Sequence, residues 1–441
     1  MRRPRDDRAG CLLVSSAGSP RDLRSVAQLI PKEEGRLLVI MDAADPEFTV
    51  ELARRLRPMV PLRWHSVRLV ASGAAADPDG DCPARELSHL LDTEVIAPDG
   101  EVVVLPNGSL FVTDAAPVGR PGAAGAWWQF LPSRVPVRLG RRYPAPGWEA
   151  TLGVAVPEIP GLVVEEVPSG LWVHRPPEVH VGGLTFRVPM HAHRMLLLVS
   201  RPGDPGLSAS DLDRLIRALP DALHDRLVVV PYGDSPLVDG HLGTVAARAA
   251  NQPVRVRTGL PLYVRDVGVQ VLAVGATGVP TWYPFARELI WTPDGSGRIL
   301  KGDVPVDYLK AVAPGLFAIG EQWLMEVVES GLWIRKHDRV EGAQLVRMLP
   351  VDSRHCNVVL GAFSDHPSEP PWRAVAKLLR KLPDDAKSRI RLAVPEAAGH
   401  RIARGAADAL EDLLNGQPLV LLANDGAMRP WRPSAHPSSR P

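Results

Sequence analysis

An internal repeat constrains this chain more than any single residue does. RLIRALPD at Arg214 to Asp221 returns as KLLRKLPD at Lys377 to Asp384, 163 residues on, and SGLWVHRP from Ser169 returns as SGLWIRKH from Ser330, 161 residues on. One offset accounts for both pairs, so the expected fold is a repeated module. Laid on that offset, each unit opens with an apolar run that ends at a proline: GRLLVIMDAADP at Gly35, RMLLLVSRPGDP at Arg194 and CNVVLGAFSDHP at Cys356. A proline there stops a strand and presets the backbone for the turn into a helix.

The rest of each unit follows from periodicity. Leu212, Leu215, Ile216 and Leu219 recur at helical spacing behind Ser208 or Ser210, either of which can cap the helix. Second strands (Val67 to Ala71, Leu227 to Val230, Ile390 to Val394), a small-residue loop, a second helix and a third strand ending in glycine complete the pattern. Continuous apolar strands alternating with helices predict a parallel sheet covered on both faces, so this half of the module reads as doubly wound. The second half predicts antiparallel structure: Asn107-Gly108 marks a hairpin turn, WWQFLP and WYPFARELIW are strand-like, and the Gly-Leu-Trp strand closes the half.

The expected organisation is therefore α/β throughout: an N-terminal segment 1–34, repeat modules 35–180 and 181–340, a truncated module 341–428 that lacks the antiparallel half, and an unstructured tail 429–441. The missing half of the third module could be supplied by another chain.

Composition limits the function classes. A length of 441 residues exceeds what one core normally supports, and 45% hydrophobic with 23% charged residues is globular. A formal net charge of +1 lacks the electrostatic footprint of a protein that binds a phosphate backbone, so nucleic acid is not expected as a partner. Cys11, Cys82 and Cys356 are too few and too scattered for a disulfide framework or thiolate metal site, which fits a reducing, cytoplasmic compartment. The N-terminus has no signal-peptide core and no apolar run is long enough to cross a bilayer, so the expectation is a soluble protein without a membrane partner. Only seven of the 51 basic residues are lysine, and alanine, glycine and proline are plentiful. That bias fits a GC-rich, actinobacterial genome.

From Arg68 to Phe130 the order is strand, small-residue loop, helix, a strand ending in Ala-Pro-Asp-Gly, then Asn-Gly-Ser-Leu-Phe-Val and a tryptophan-rich stretch. This order resembles the caspase-like, single-cysteine modules of large actinobacterial proteins, some of them associated with polymorphic toxins. The resemblance implies a histidine after one strand and a nucleophilic cysteine after the next. The loops after the second strands here read ASGAAADPDGD, PYGDSPLVDG and PEAAGHR, with Cys82 only in the first and no His-Gly pair before it.

Three constellations are candidate sites. Cys82 with His65 or His89 supplies a thiol and an imidazole that could activate it, against the alternative that Cys82 marks a loop-to-helix junction. Gly233, Asp234 and Ser235 lie in a glycine-rich loop at the carboxyl end of a parallel strand, where such folds bind ligands, although the loop has neither dinucleotide nor phosphate-loop spacing. His191 and His193, with His180 nearby, could place imidazoles on one side of a strand, yet lack a carboxylate third ligand, so no metal is expected. Trp172 and Trp333 recur at matching positions and read as core anchors. No cofactor is implied. The leading expectation is a non-catalytic repeat protein that serves as an interaction or scaffold module for a protein partner. A caspase-like cysteine hydrolase, and a small-molecule sensor binding at the loops after the parallel strands, are the alternatives.

Overall fold

The computed structural model describes residues 6–7, 10–14, 25, 27–41, 46–114, 125–153, 156–176, 183–233, 236–338, 340–363, 368–414 and 419–431. The chain is mixed α/β and divides into two compact units, residues 1–155 with 186–193 and residues 156–185 with 194–441.

The first unit contains β1 (Asp6–Asp7), β2 (Cys11–Val14), β3 (Arg36–Met41), β4 (Ser66–Val70), β5 (Glu94–Pro98), β6 (Val102–Val104), β7 (Leu110–Val112), β8 (Trp127–Phe130), β9 (Val137–Arg138) and β10 (Arg142–Tyr143), with helices α1 (Pro46–Leu56) and α2 (Pro83–Leu91). Its main sheet runs β1-β2-β3-β4-β5-β8-β9, and β2 through β5 are parallel neighbours. Strand order follows chain order, and α1 packs on α2 over one face of the sheet.

A small antiparallel sheet, β10-β7-β6, covers the other face. Side chains alternate between the two faces. Leu37, Val39 and Leu69 join Leu52, Leu56 and Leu87 of the helices, whereas Leu38, Ile40 and Ile96 join Leu110, Val112 and Tyr143. Coverage on both faces is why these strands read as unbroken apolar runs. The Asn107-Gly108 turn joins β6 to β7 as its sequence predicts, with Gly108 at φ +83° and Ser109 N donating to Asn107 Oδ1 at 3.2 Å.

The second unit holds two large sheets. In the first of them are β11 (Val163–Val167), β12 (Gly170–His174), β13 (Met195–Val199), β14 (Leu227–Pro231) and β15 (Val254–Arg257). A separate hairpin, β16 (Leu260–Val264) and β17 (Gly268–Leu272), follows, and then β18 (Ala286–Trp291) and β19 (Gly297–Gly302) complete the sheet. Helices α3 (Ala209–Ala218) and α4 (Leu242–Ala250) connect its parallel strands and pack together. Ser208 caps α3 and forms a reciprocal capping box with Asp211.

The last sheet contains β20 (Lys310–Ala313), β21 (Leu316–Ala318), β22 (Trp323–Val328), β23 (Gly331–Lys336), β24 (Cys356–Leu360), β25 (Ile390–Pro395), β26 (Val420–Leu422) and β27 (Met428–Pro430), in that spatial order. Helices α5 (Ala343–Arg347), α6 (Trp372–Lys381) and α7 (Gly399–Leu414) accompany it. Val346 and Leu349 cover the face that carries Trp333, Val359, Ala393 and Val420. Arg429 and Pro430, expected in the tail, instead finish β27, antiparallel to β26. Residues 432–441 of that expected tail lie outside the described residues. No helix among the described residues is long and apolar enough to cross a membrane.

The Ser-Gly-Leu-Trp strands end an antiparallel run and in the same sheet begin a parallel one: β12 lies antiparallel to β11 and parallel to β13, and β23 antiparallel to β22 and parallel to β24. Each follows a two-residue turn from an antiparallel partner, with Val167 opposite Gly170 and Val328 opposite Gly331. That turn aims a serine carbonyl at the incoming strand, so Ser169 O accepts from Leu196 N at 2.9 Å and Ser330 O from Asn357 N at 3.0 Å. At the far end the indole N–H groups of Trp172 and Trp333 donate to Ser200 O and Gly361 O, both at 2.7 Å.

Gly170 and Gly331 have φ of +150° and +146°, and a Cβ on either would collide with the carbonyl oxygen of Leu196 or Asn357. Gly331→Ala is therefore expected to lose about 1–3 kcal/mol of stability through backbone strain and steric displacement. Urea denaturation against Gly320→Ala, whose Cβ would meet open space, checks this, with no more than a few tenths of a kcal/mol expected for the control.

Candidate functional site

Cys82 occupies the N-cap position of α2 and is buried, as are Cys11 and Cys356. Burial pushes the Cys82 thiol up in pKa, with the backbone amides of Arg85 and Ala84 opposing that shift. His89 is exposed on the same helix, about 10 Å further along the axis at 1.5 Å per residue. His65 is exposed just before β4, whereas Ala84 N bonds to Ala74 O beyond the other end of that strand. Five extended residues span about 16 Å. The structure therefore brings neither His65 nor His89 to the thiol.

His191 and His193 are exposed with ring centroids 6.2 Å apart, and His191 Nδ1 accepts from His193 N at 3.1 Å. Among the described residues no group of three or more His, Cys, Asp or Glu side chains could hold a metal ion. His180 lies outside the described residues, as do Asp234 and Ser235. Gly233, at φ +124°, lines the cavity described next.

That cavity, of about 570 Å³, lies within the second unit between its two large sheets. One wall is the carboxyl end of the first sheet: Pro231 and Gly233 after β14, and Thr258 and Gly259 after β15. The opposite wall comes from α5 and the segment after it, chiefly Leu345, Met348, Leu349 and Val351. The Asn424-Asp425-Gly426 turn after β26 closes a further side. The two sheets are held together beside it: Trp282 Nε1 donates to Asp352 O at 3.0 Å, Tyr283 N to Asp385 Oδ2 at 3.1 Å, and the Gln344 amide to Gly295 O.

The buried polar centre of the cavity is His241 with Glu329. His241 sits at the N-cap of α4, the position Cys82 holds on α2, and both helices end at a left-handed residue, Asn251 and Asp92. Its side chain does not cap the helix. Instead Nε2 lies 3.2 Å from Glu329 Oε2, and the ring packs against Trp291 with centroids 4.2 Å apart. Gly243, in the first turn of α4, makes room for that indole, because a Cβ there would collide with Trp291. Glu329 comes from the two-residue turn between β22 and β23, so the chain reversal that starts the third parallel run also delivers the carboxylate.

Two polar atoms on the cavity lining, His241 Nδ1 and Ser353 Oγ, are buried with no protein partner. A buried group left unpaired costs about 1–3 kcal/mol, so their placement beside a recess is a reason to look for what completes them. A carboxylate only accepts, so the Nε2 facing Glu329 carries a proton, while Nδ1 faces no protein partner.

The sequence pattern singled out Gly233, Asp234 and Ser235 in the glycine-rich loop that also carries His241, but neither His241 nor Glu329. Glu329 also had a signal: the otherwise matching turns read Val-Pro-Ser-Gly-Leu-Trp at Pro168 and Val-Glu-Ser-Gly-Leu-Trp at Glu329, so a charge replaces a proline at one position of the repeat. Comparison with protein-family models, curated proteins and solved structures finds no match to this chain.

Burial of all three thiols and the raised pKa of Cys82 and of Cys356, the latter pushed to about 12 by burial, keep them protonated and shielded near neutral pH. Native protein mixed with a chromogenic disulfide reagent at pH 7.5 should show no fast thiol release, with all three cysteines reacting after addition of guanidinium. A rapid native equivalent that disappears in Cys82→Ser would contradict the burial account.

Proposed function

We propose that this protein binds a small, largely apolar organic molecule in the cavity between the two sheets of its second unit. The observation that carries the reading is a recess of about 570 Å³ with an apolar wall and two buried polar atoms that lack protein partners. Ligand sites commonly have volumes of about 300–1,000 Å³ and combine apolar linings with a few fixed polar groups. Loops beyond the carboxyl ends of parallel strands form much of the wall, which is where the sequence pattern favours a ligand. The three cysteines, none of them in a disulfide, support a reducing, cytoplasmic setting.

Met348 is half-buried on the cavity wall, so a larger side chain there fills the recess from its rim. Saturation-transfer NMR with 2-phenylethanol, a neutral probe, should show binding to the native chain. Met348→Trp should weaken that binding at least tenfold while the thermal unfolding midpoint stays within a few degrees. Equal binding by the variant, or none by the native protein, rejects the cavity as the site.

A second reading, a docking or scaffold role, is favoured by the hairpin β16-β17. Tyr263 and Val269 face each other across it and are 48% and 45% exposed, with Val267 at its tip 64% exposed. Exposed apolar side chains grouped in this way support a protein partner. On that reading Val269→Glu should lower recovery of a stoichiometric partner from the native host at least fivefold by quantitative mass spectrometry. Unchanged recovery would remove the hairpin from consideration.

A further inference from the structure

Building on the cavity reading, we propose that the ligand is a small organic amine, bound as its ammonium ion beside Glu329 and His241. Charge is the first argument. Among the described lining residues the ionisable groups are Glu329, Asp425 and His241, and there is no lysine or arginine. An anionic ligand would lose its hydration and meet carboxylates, whereas an ammonium would exchange water for an opposite charge. Arg335 and Arg347, which share a second recess with Glu329, are already held by Glu326 at 3.0 and 2.6 Å.

Hydrogen-bonding capacity is the second argument. Glu329 can only accept, and His241 Nδ1 is left as an unpartnered acceptor when Nε2 donates to Glu329. The Ser353 hydroxyl can accept as well, so the three donors of an ammonium, which has no acceptor of its own, find acceptors at the buried centre. A carboxylate, phosphate or sulfate offers the reverse. The remaining wall fixes the other end of the molecule: Leu237, Leu242, Val274, Leu345 and Met348 are apolar and suit an aliphatic or aromatic body. Both the amine and the neutral alcohol of the preceding test fit this shape, but only the amine uses the charge.

Three probes of nearly equal size separate these terms: 2-phenylethylamine, 2-phenylethanol and phenylacetate, titrated into the full chain at pH 7 by isothermal calorimetry. The amine is expected to bind at least tenfold tighter than the alcohol, and phenylacetate more weakly than either. Glu329→Gln, which keeps the side-chain volume, should reduce the preference for amine over alcohol to less than threefold. If the alcohol binds as tightly as the amine, or phenylacetate binds best, the amine assignment fails while the cavity remains a ligand site. If none of the three binds, the cavity reading fails with it. Should Glu329→Gln lose its cooperative unfolding transition, the ranking of the three probes on the native chain decides the matter alone.

Discussion

The bond between a turn carbonyl and the first amide of the following strand organises the second unit. In each Ser-Gly-Leu-Trp segment a tight reversal exposes the serine carbonyl, the next strand's amide finds it, and glycine at φ near +150° lets the two backbones approach. Two residues further on, a tryptophan ties its indole to the carbonyl just beyond that same strand. Register is thereby set at both ends, and a one-residue slip would turn every buried side chain to the wrong face. The parallel runs that follow inherit that register.

Charge stabilises the covering layers where apolar packing alone is incomplete. In the first unit Arg68 is buried 3.7 Å above the Tyr143 ring and paired with Glu33 at 2.8 Å, and Arg142 is paired with Glu149 at the same distance. In the second, Glu288 holds Arg255 and Arg257 at 2.8 and 3.0 Å. Removing one member of such a pair leaves a buried charge uncompensated, which is far more damaging than losing a surface ion pair. Arg257 Nε in one of these pairs is buried without a partner, as is His241 Nδ1. What distinguishes His241 is that its open nitrogen lies on the lining of a recess.

His241 and Glu329 have counterparts elsewhere in the sequence at matching local positions. The helix N-cap after the second parallel strand holds Cys82 in the first unit and His241 in the second; the turn before the Gly-Leu-Trp strand holds Pro168 in one place and Glu329 in another. In the first unit the N-cap side chain is buried in the apolar core with Leu87 and Val67. In the second it meets a carboxylate brought by the next sheet, and the gap between the sheets leaves room for a ligand. The scaffold can thus place a polar pair at a joint without disturbing either core.

The apolar runs at Leu37, Met195 and Cys356 determined parallel strands on their own, because continuous hydrophobicity bounded by proline or glycine suits few other structures. The helical stripe from Leu212, the Ser208 cap and the Asn107-Gly108 hairpin were local and therefore equally legible. The face that each helix covers was not, since periodicity records that a helix covers a sheet but not on which side. The Gly-Leu-Trp strands were legible as the end of an antiparallel half, but their parallel partners were not, because those are set by hydrogen bonds to strands reached after an intervening segment. The pairing of His241 with Glu329, 88 residues apart, exists only because two sheets meet and bury both side chains. Residue pattern fixed the layers, and contact between layers made the site.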